Sequence, residues 1–114
     1  MTKRTLCAPA DIPNHGTRAF PAFTRAHAGL FAIRQNTRVM IYVNACPHLG
    51  VPLDWAPGSF LASDGSRIVC ATHGAEFEIE TGLCQRGPCK GDALESVPYT
   101  LEAGMIAVSS AAGL

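Results

Sequence analysis

The chain has no Lys/Arg cluster, no apolar run long enough to cross a membrane and no stretch of a dozen residues with a sustained helical period outside its small-residue tail. The first absence removes the electrostatic footprint of a nucleic-acid binder. The second argues against a spanning helix, and the opening Met1-Thr2-Lys3-Arg4-Thr5-Leu6-Cys7-Ala8-Pro9 lacks the apolar core of a signal peptide, so a soluble, cytoplasmic protein without membrane partners is expected. The third leaves an all-β domain. At 114 residues there is room for one such domain, spanning 1–114, and none for a second catalytic one. Cysteine is present but odd in number: five residues, two of them beside histidines, read as metal ligation in a reducing compartment and not as a disulfide framework.

Formal net charge is zero, yet the two parts of the chain differ. Residues 1–44 carry six basic side chains against Asp11, whereas residues 45–114 carry three basic and eight acidic ones. An acidic rim of this kind steers a basic redox partner, or is ordinary solvated charge.

What the chain does have is a pair of boxes. Cys46-Pro47-His48-Leu49-Gly50 and Cys70-Ala71-Thr72-His73-Gly74 each offer one thiolate and one imidazole on a tight turn, and the glycine that follows lets the backbone curl without a Cβ clash. Together they make a four-ligand metal site, Cys46, His48, Cys70 and His73. Such a set suits zinc at a single ion, or a [2Fe–2S] centre with the two cysteines on one iron and the two histidines on the other. Structural zinc sites usually pair like with like within a knuckle. Mixed boxes follow naturally if each loop must reach both irons.

The surrounding sequence reads as hairpins that carry these boxes. An edge strand is expected near Leu6–Ala10, before the turn-rich Asp11–Gly16, and a second within Thr17–His27, where Pro21 argues for an edge position. The runs 29–34 and 38–43 flank Gln35-Asn36-Thr37 as a hairpin that delivers the chain to the first box. Phe60-Leu61 and Arg67–Cys70 bracket Ser63–Ser66 as a second, leading to the other box. The alternation in Glu76–Glu80 predicts a strand with Phe77 and Ile79 inward. Gly87–Asp92 is a rigid glycine-flanked loop, and Val97–Glu102 and Met105–Val108 are strand-like runs around Ala103-Gly104.

The two boxes resemble those of Rieske iron–sulfur proteins, and Gly87-Pro88 resembles the proline loop that covers the cluster there; the likeness extends from the first hairpin to Val108. It implies an antiparallel Rieske-type β-sandwich with a cluster-binding subdomain, about 44–80, inserted in a basal β domain. It implies one [2Fe–2S] cluster, with Cys46 and Cys70 on the inner iron and His48 and His73 on the outer. The function implied is that of a Rieske ferredoxin, a one-electron carrier between a reductase and an acceptor such as an oxygenase, and not an enzyme. Only His15 and His27 remain beyond the boxes, too few for the two-His, one-carboxylate iron site of a ring-hydroxylating oxygenase. The alternative is an accessory subunit like the Rieske-like small subunit of assimilatory nitrite reductase.

Departures from the family pattern carry information. High-potential respiratory members have a disulfide joining the boxes, where this chain has Val51 and Thr72, and a Ser and a Tyr donating hydrogen bonds toward sulfur, where it has Ala75 and Phe77. Fewer such bonds place the potential near the low end of the roughly −150 to +300 mV Rieske range. The 21 residues between His48 and Cys70 are more than usual for small Rieske ferredoxins, with the excess around Trp55–Ser66. Cys84 and Cys89 are expected as packed free thiols near the third loop, Cys7 as core, His15 and His27 as solvent-facing, Trp55 as filler beneath the long loop, and Leu49 and Pro88 as an apolar lid.

Overall fold

Val, Ile, Phe and Tyr fill the runs that flank short polar turns, and each of these runs forms an extended segment. The computed structural model describes residues 3–21, 29–47, 52–54, 60–70 and 74–110. Nine strands lie in this portion: β1 (Lys3–Thr5), β2 (Gly16–Phe20), β3 (Leu30–Gln35), β4 (Arg38–Val43), β5 (Ile68–Cys70), β6 (Ala75–Phe77), β7 (Cys84–Arg86), β8 (Thr100–Glu102) and β9 (Met105–Ser109). They build three antiparallel three-stranded sheets, ordered β1-β9-β8, β2-β3-β4 and β5-β6-β7. The antiparallel all-β fold is therefore as expected.

The central hairpin is β3–β4, in register from Leu30 opposite Val43 to Gln35 opposite Arg38. Its two-residue turn begins at Asn36, whose φ of 58° lies in the left-handed region that Asn tolerates better than most residues. β2 closes one edge of this sheet, and Pro21 stands just past its end, where the lost N–H breaks no ladder bond. The other edge is partly covered by the segment before β8: Val43 N–H donates to Glu95 O (2.9 Å) and Val97 N–H to Ile41 O (2.8 Å).

Alternation along β3 and β4 divides the interior in two. Phe31, Ile33 and Tyr42 point into one apolar cluster with Cys46, Leu53, Phe60, Ile68, Cys70, Phe77, Cys84 and Cys89. Leu30, Ala32, Val39, Ile41 and Val43 point into another with Cys7, Ile12, Phe20, Ile106 and Val108. A sheet buried on both faces reads as continuous hydrophobic sequence, as these strands do. Phe31 stacks on Phe60 with ring centroids 4.3 Å apart, joining the sheet to the loops beyond it.

Four strands differ from expectation: β8 begins at Thr100 and not at Val97, β7 has no expected counterpart, and β1 and β6 differ in extent. β1 begins at Lys3 and ends at Thr5, and Pro9–Asp11 forms a short 3-10 turn in which the Asp11 carboxylate accepts from Ala8 N–H at 3.1 Å. Pro9 has no N–H to give a ladder, so the apolar run 6–10 cannot continue as strand. The strand expected over Glu76–Glu80 stops at Phe77. There the chain turns, with Gly82 N–H donating to Glu78 O at 2.8 Å, while Ile79 remains 4% exposed because the turn tucks it inward. Burial of every second residue does not need a continuing strand.

Candidate metal centre

Each box begins where a strand ends. Cys46 lies three residues past the end of β4, and Cys70 is the last residue of β5, paired in register with Ala75. Both cysteines are fully buried, at 1% and 0% exposure, and sit in the same apolar cluster. The five cysteines form no disulfide. Gly74, which closes the second box, has φ 68° and donates its N–H to Cys70 O at 2.9 Å, the tight curl expected of it. His48 and His73 lie outside the described residues, as do Leu49, Gly50, Val51, Trp55 and Thr72. Among the described residues no group of three or more His, Cys, Asp or Glu side chains is placed to hold a metal ion.

The backbone around Cys46 is held by a residue that the motif does not contain. Asn44 accepts from Leu53 N–H at 2.8 Å through its Oδ1 and donates from Nδ2 to Asp54 Oδ1 at 3.0 Å. This pins residues 53–54 beside the end of β4 and fixes the two ends of the segment that contains the first box. An Asn two residues before the box cysteine is a visible signal, but only the fold shows what it binds. Around the second box, Arg67 pairs with Glu76 at 2.9 Å across the β5–β6 ladder. The hairpin before it turns at 62–65, where the Asp64 carboxylate accepts from Ser66 N–H (3.0 Å) and Oγ (2.7 Å), hydrogen bonds that lower its pKa.

The third loop lies against both boxes. At Gly87, φ is 104° and a Cβ would stand 2.8 Å from the Cα of Ala75, the register partner of Cys70. Only glycine permits this approach. Cys89, two residues on, is buried, and its thiol pKa is pushed up by that burial, by the Cys84 thiol and by the nearby Cys46. Pro88 is exposed on the outer side of the loop. Ala75 and Phe77 are fully buried and bring no hydroxyl to the site.

Of the residues expected away from the centre, Cys7 and His15 are described and are found so. Cys7 is core at 2% exposure, with its pKa raised by burial, and His15 is exposed. His27 lies outside the described residues. Beneath the site, the Tyr42 hydroxyl donates to Ile79 O at 2.7 Å, and burial, with the charges of Glu78 and Glu80, pushes its pKa up to about 12. Among the described residues no helix is long and apolar enough to cross a membrane.

The sequence matches the family model of the Rieske [2Fe-2S] domain over residues 3–100. No curated protein matches it. Among solved structures it resembles a ferredoxin of Sphingomonas yanoikuyae B1, at 25% identity and TM-score 0.70 over 95% of this chain and 98% of that one. It shares its fold with a chain in a complex of reduced oxygenase and oxidised ferredoxin in carbazole 1,9a-dioxygenase (22% identity, TM-score 0.72, 95% and 93% covered). A third likeness is to the ferredoxin of carbazole 1,9a-dioxygenase from Nocardioides aromaticivorans IC177 (18% identity, TM-score 0.70, 96% and 98% covered). The donor chemistry present fits the family's cofactor, since two undisulfided thiols in a dry apolar cluster suit iron–sulfur ligation. With most of its length matched, the chain belongs to the Rieske [2Fe-2S] domain family and carries that family's single [2Fe–2S] cluster.

Proposed function

We propose that the protein is a one-electron carrier, a low-potential Rieske ferredoxin that takes electrons from a reductase and delivers them to an acceptor enzyme of the oxygenase kind, in the cytoplasm. The observation that carries this reading is the burial of Cys46 and Cys70, free of any disulfide, in one apolar cluster at the ends of two strands. In this reading Cys46 and Cys70 hold the inner iron, and His48 and His73 the outer. Residues of about 44–80 form the cluster-binding subdomain, to whose sheet β7 adds an outer strand.

When bound, a [2Fe–2S] cluster supplies one-electron transfer at a neutral site, since two thiolates balance the 2+ oxidised core and two neutral imidazoles add no charge. The chain's own residues tune and protect it. Leu53, Phe60 and Phe77 keep water from the cysteines, and Ala75 and Phe77 bring no hydroxyl of their own toward them, which favours a potential near the low end of the range. The similar structures support the choice of partner, because two of them come from carbazole 1,9a-dioxygenase, one as a complex of oxygenase and ferredoxin.

The test is direct. The purified protein should be brown, contain about two iron and two sulfide per chain and give a reduced-state EPR signal of low average g; it should reduce a Rieske oxygenase in a single-turnover mixture. A colourless protein with one zinc would sink the proposal. Obligate co-purification with a large subunit would favour the nitrite-reductase type of accessory subunit instead.

A further inference from the structure

Three buried thiols are left over once the centre is assigned, and two of them lie together. Cys84, the first residue of β7, and Cys89, in the third loop, place their sulfurs 2.7 Å apart, and each is 2% exposed or less. A disulfide bond is about 2.05 Å long, so closure needs only a small approach of side chains. The backbone on both sides is already tied: Cys84 N–H donates to Asp92 O (2.7 Å), Gly91 N–H to Cys84 O (3.3 Å) and Asp92 N–H to Cys89 O (2.8 Å). Gly87 and Gly91, at φ 104° and 97°, fold the loop back so that these bonds can form.

One of the two, Cys84, borders a groove. This open groove of about 570 Å³ is lined by Leu83, Cys84, Gln85, Lys90 and Gly91, and Lys90 brings a positive charge to its wall. On the other side the loop bears on the centre, through Gly87 against Ala75 and through Cys89 in the same apolar cluster as Cys46 and Cys70. A covalent tie here would hold the loop against both box cysteines.

We propose that Cys84 and Cys89 are a reversible dithiol–disulfide couple, closed by a small-molecule disulfide of the glutathione class, and that closure braces the 87–91 loop over the metal centre. Cys84, which lines the groove, attacks one sulfur of the reagent and expels one thiol; Cys89 then displaces the second. The reagent's S–S bond breaks and the protein's forms, two thiols leave with the two protons, and two electrons pass from the cysteine pair to the reagent. The effect on the centre rests on the ligand reading above, whereas the bond itself does not.

The experiment equilibrates the iron-loaded protein anaerobically in graded mixtures of reduced and oxidised glutathione, quenches with acid, alkylates and digests with trypsin. Because Arg86 lies between the two cysteines, oxidation should join the peptide 68–86 to the peptide 87–90 and remove two alkylatable thiols. The link should revert with dithiothreitol and vanish in Cys84→Ser, while Cys7→Ser retains it. Alkylation of Cys84 and Cys89 unchanged at every ratio, a mixed glutathione adduct in place of the link, or a link that persists in Cys84→Ser through Cys70 would each overturn the couple. Bracing is read separately as the half-life of the visible absorption under an iron chelator, expected to be several-fold longer in the oxidised wild type; equal half-lives overturn it. A protein without iron that still forms the link would refute the ligand reading alone.

Discussion

The two faces of the β2-β3-β4 sheet bury different chemistry. Toward the boxes lie four of the five cysteines with Phe31, Phe60, Phe77 and Tyr42; away from them lie Leu, Ile, Val and Ala with Phe20 and the fifth cysteine, Cys7. The second core packs strands of regular length against each other. Opposite β3 and β4, the first is closed by three-residue strands and turns, so its shape depends on a few close contacts: the Asn44 staple, the Gly87–Ala75 approach and the Tyr42–Ile79 hydrogen bond. One core makes the fold stable, and the other spends part of its interior on thiols held ready for metal.

The sharpest way to break this contrast is to change one cysteine in each core. Cys46→Ser should lose nearly all bound iron and sulfide and the visible spectrum with them. Cys7→Ser should keep the cluster while losing about 1–3 kcal/mol of stability through a buried hydroxyl, read by denaturant melts. An unchanged spectrum in Cys46→Ser would refute the site.

Gly87→Ala comes next. It sets a Cβ against backbone at 2.8 Å and forces φ 104° on a residue that avoids it, so a loss of about 2–4 kcal/mol is expected, together with faster cluster loss. A comparable substitution at Gly65, where no atom lies within 4 Å, bears only the strain of φ 73° and should leave the cluster's lifetime unchanged.

Tyr42→Phe removes the donor to Ile79 O and should cost about 1–3 kcal/mol at neutral pH. It also carries a pH signature. The folded Tyr42 has a pKa of about 12 against an ordinary value of 10, so the unfolded chain releases this proton first. The stability it lends is whole below pH 10 and falls as pH rises from 10 to 12, by up to about 2–3 kcal/mol. Denaturant melts across that range should show this part of the slope in the wild type and not in the Phe variant.

The smallest effect belongs to the β8–β9 turn, in a sheet separate from the one that carries Cys70. Ala103 and Gly104, at φ 53° and 80°, form the turn between β8 and β9. Ala103→Asn should raise stability by about 0.5–1 kcal/mol, because Asn tolerates the left-handed region better, with no change in the cluster's spectrum.

The sequence by itself determined the family, the all-β class and the hairpins that lead to Cys46 and Cys70, because metal-ligand spacing, turn residues and β-rich runs are local patterns that survive without knowledge of contacts. It misplaced the ends of strands at Leu6–Ala10 and Glu76–Glu80, where a missing Pro9 N–H and a tucked Ile79 decide the outcome. Only the tertiary structure decided which face of β3 and β4 serves which core, since both faces are apolar and periodicity cannot rank them. It alone joined Asn44 to residues 53–54, laid Gly87 on Ala75 and brought Cys84 to Cys89, because these depend on where separate loops come to rest.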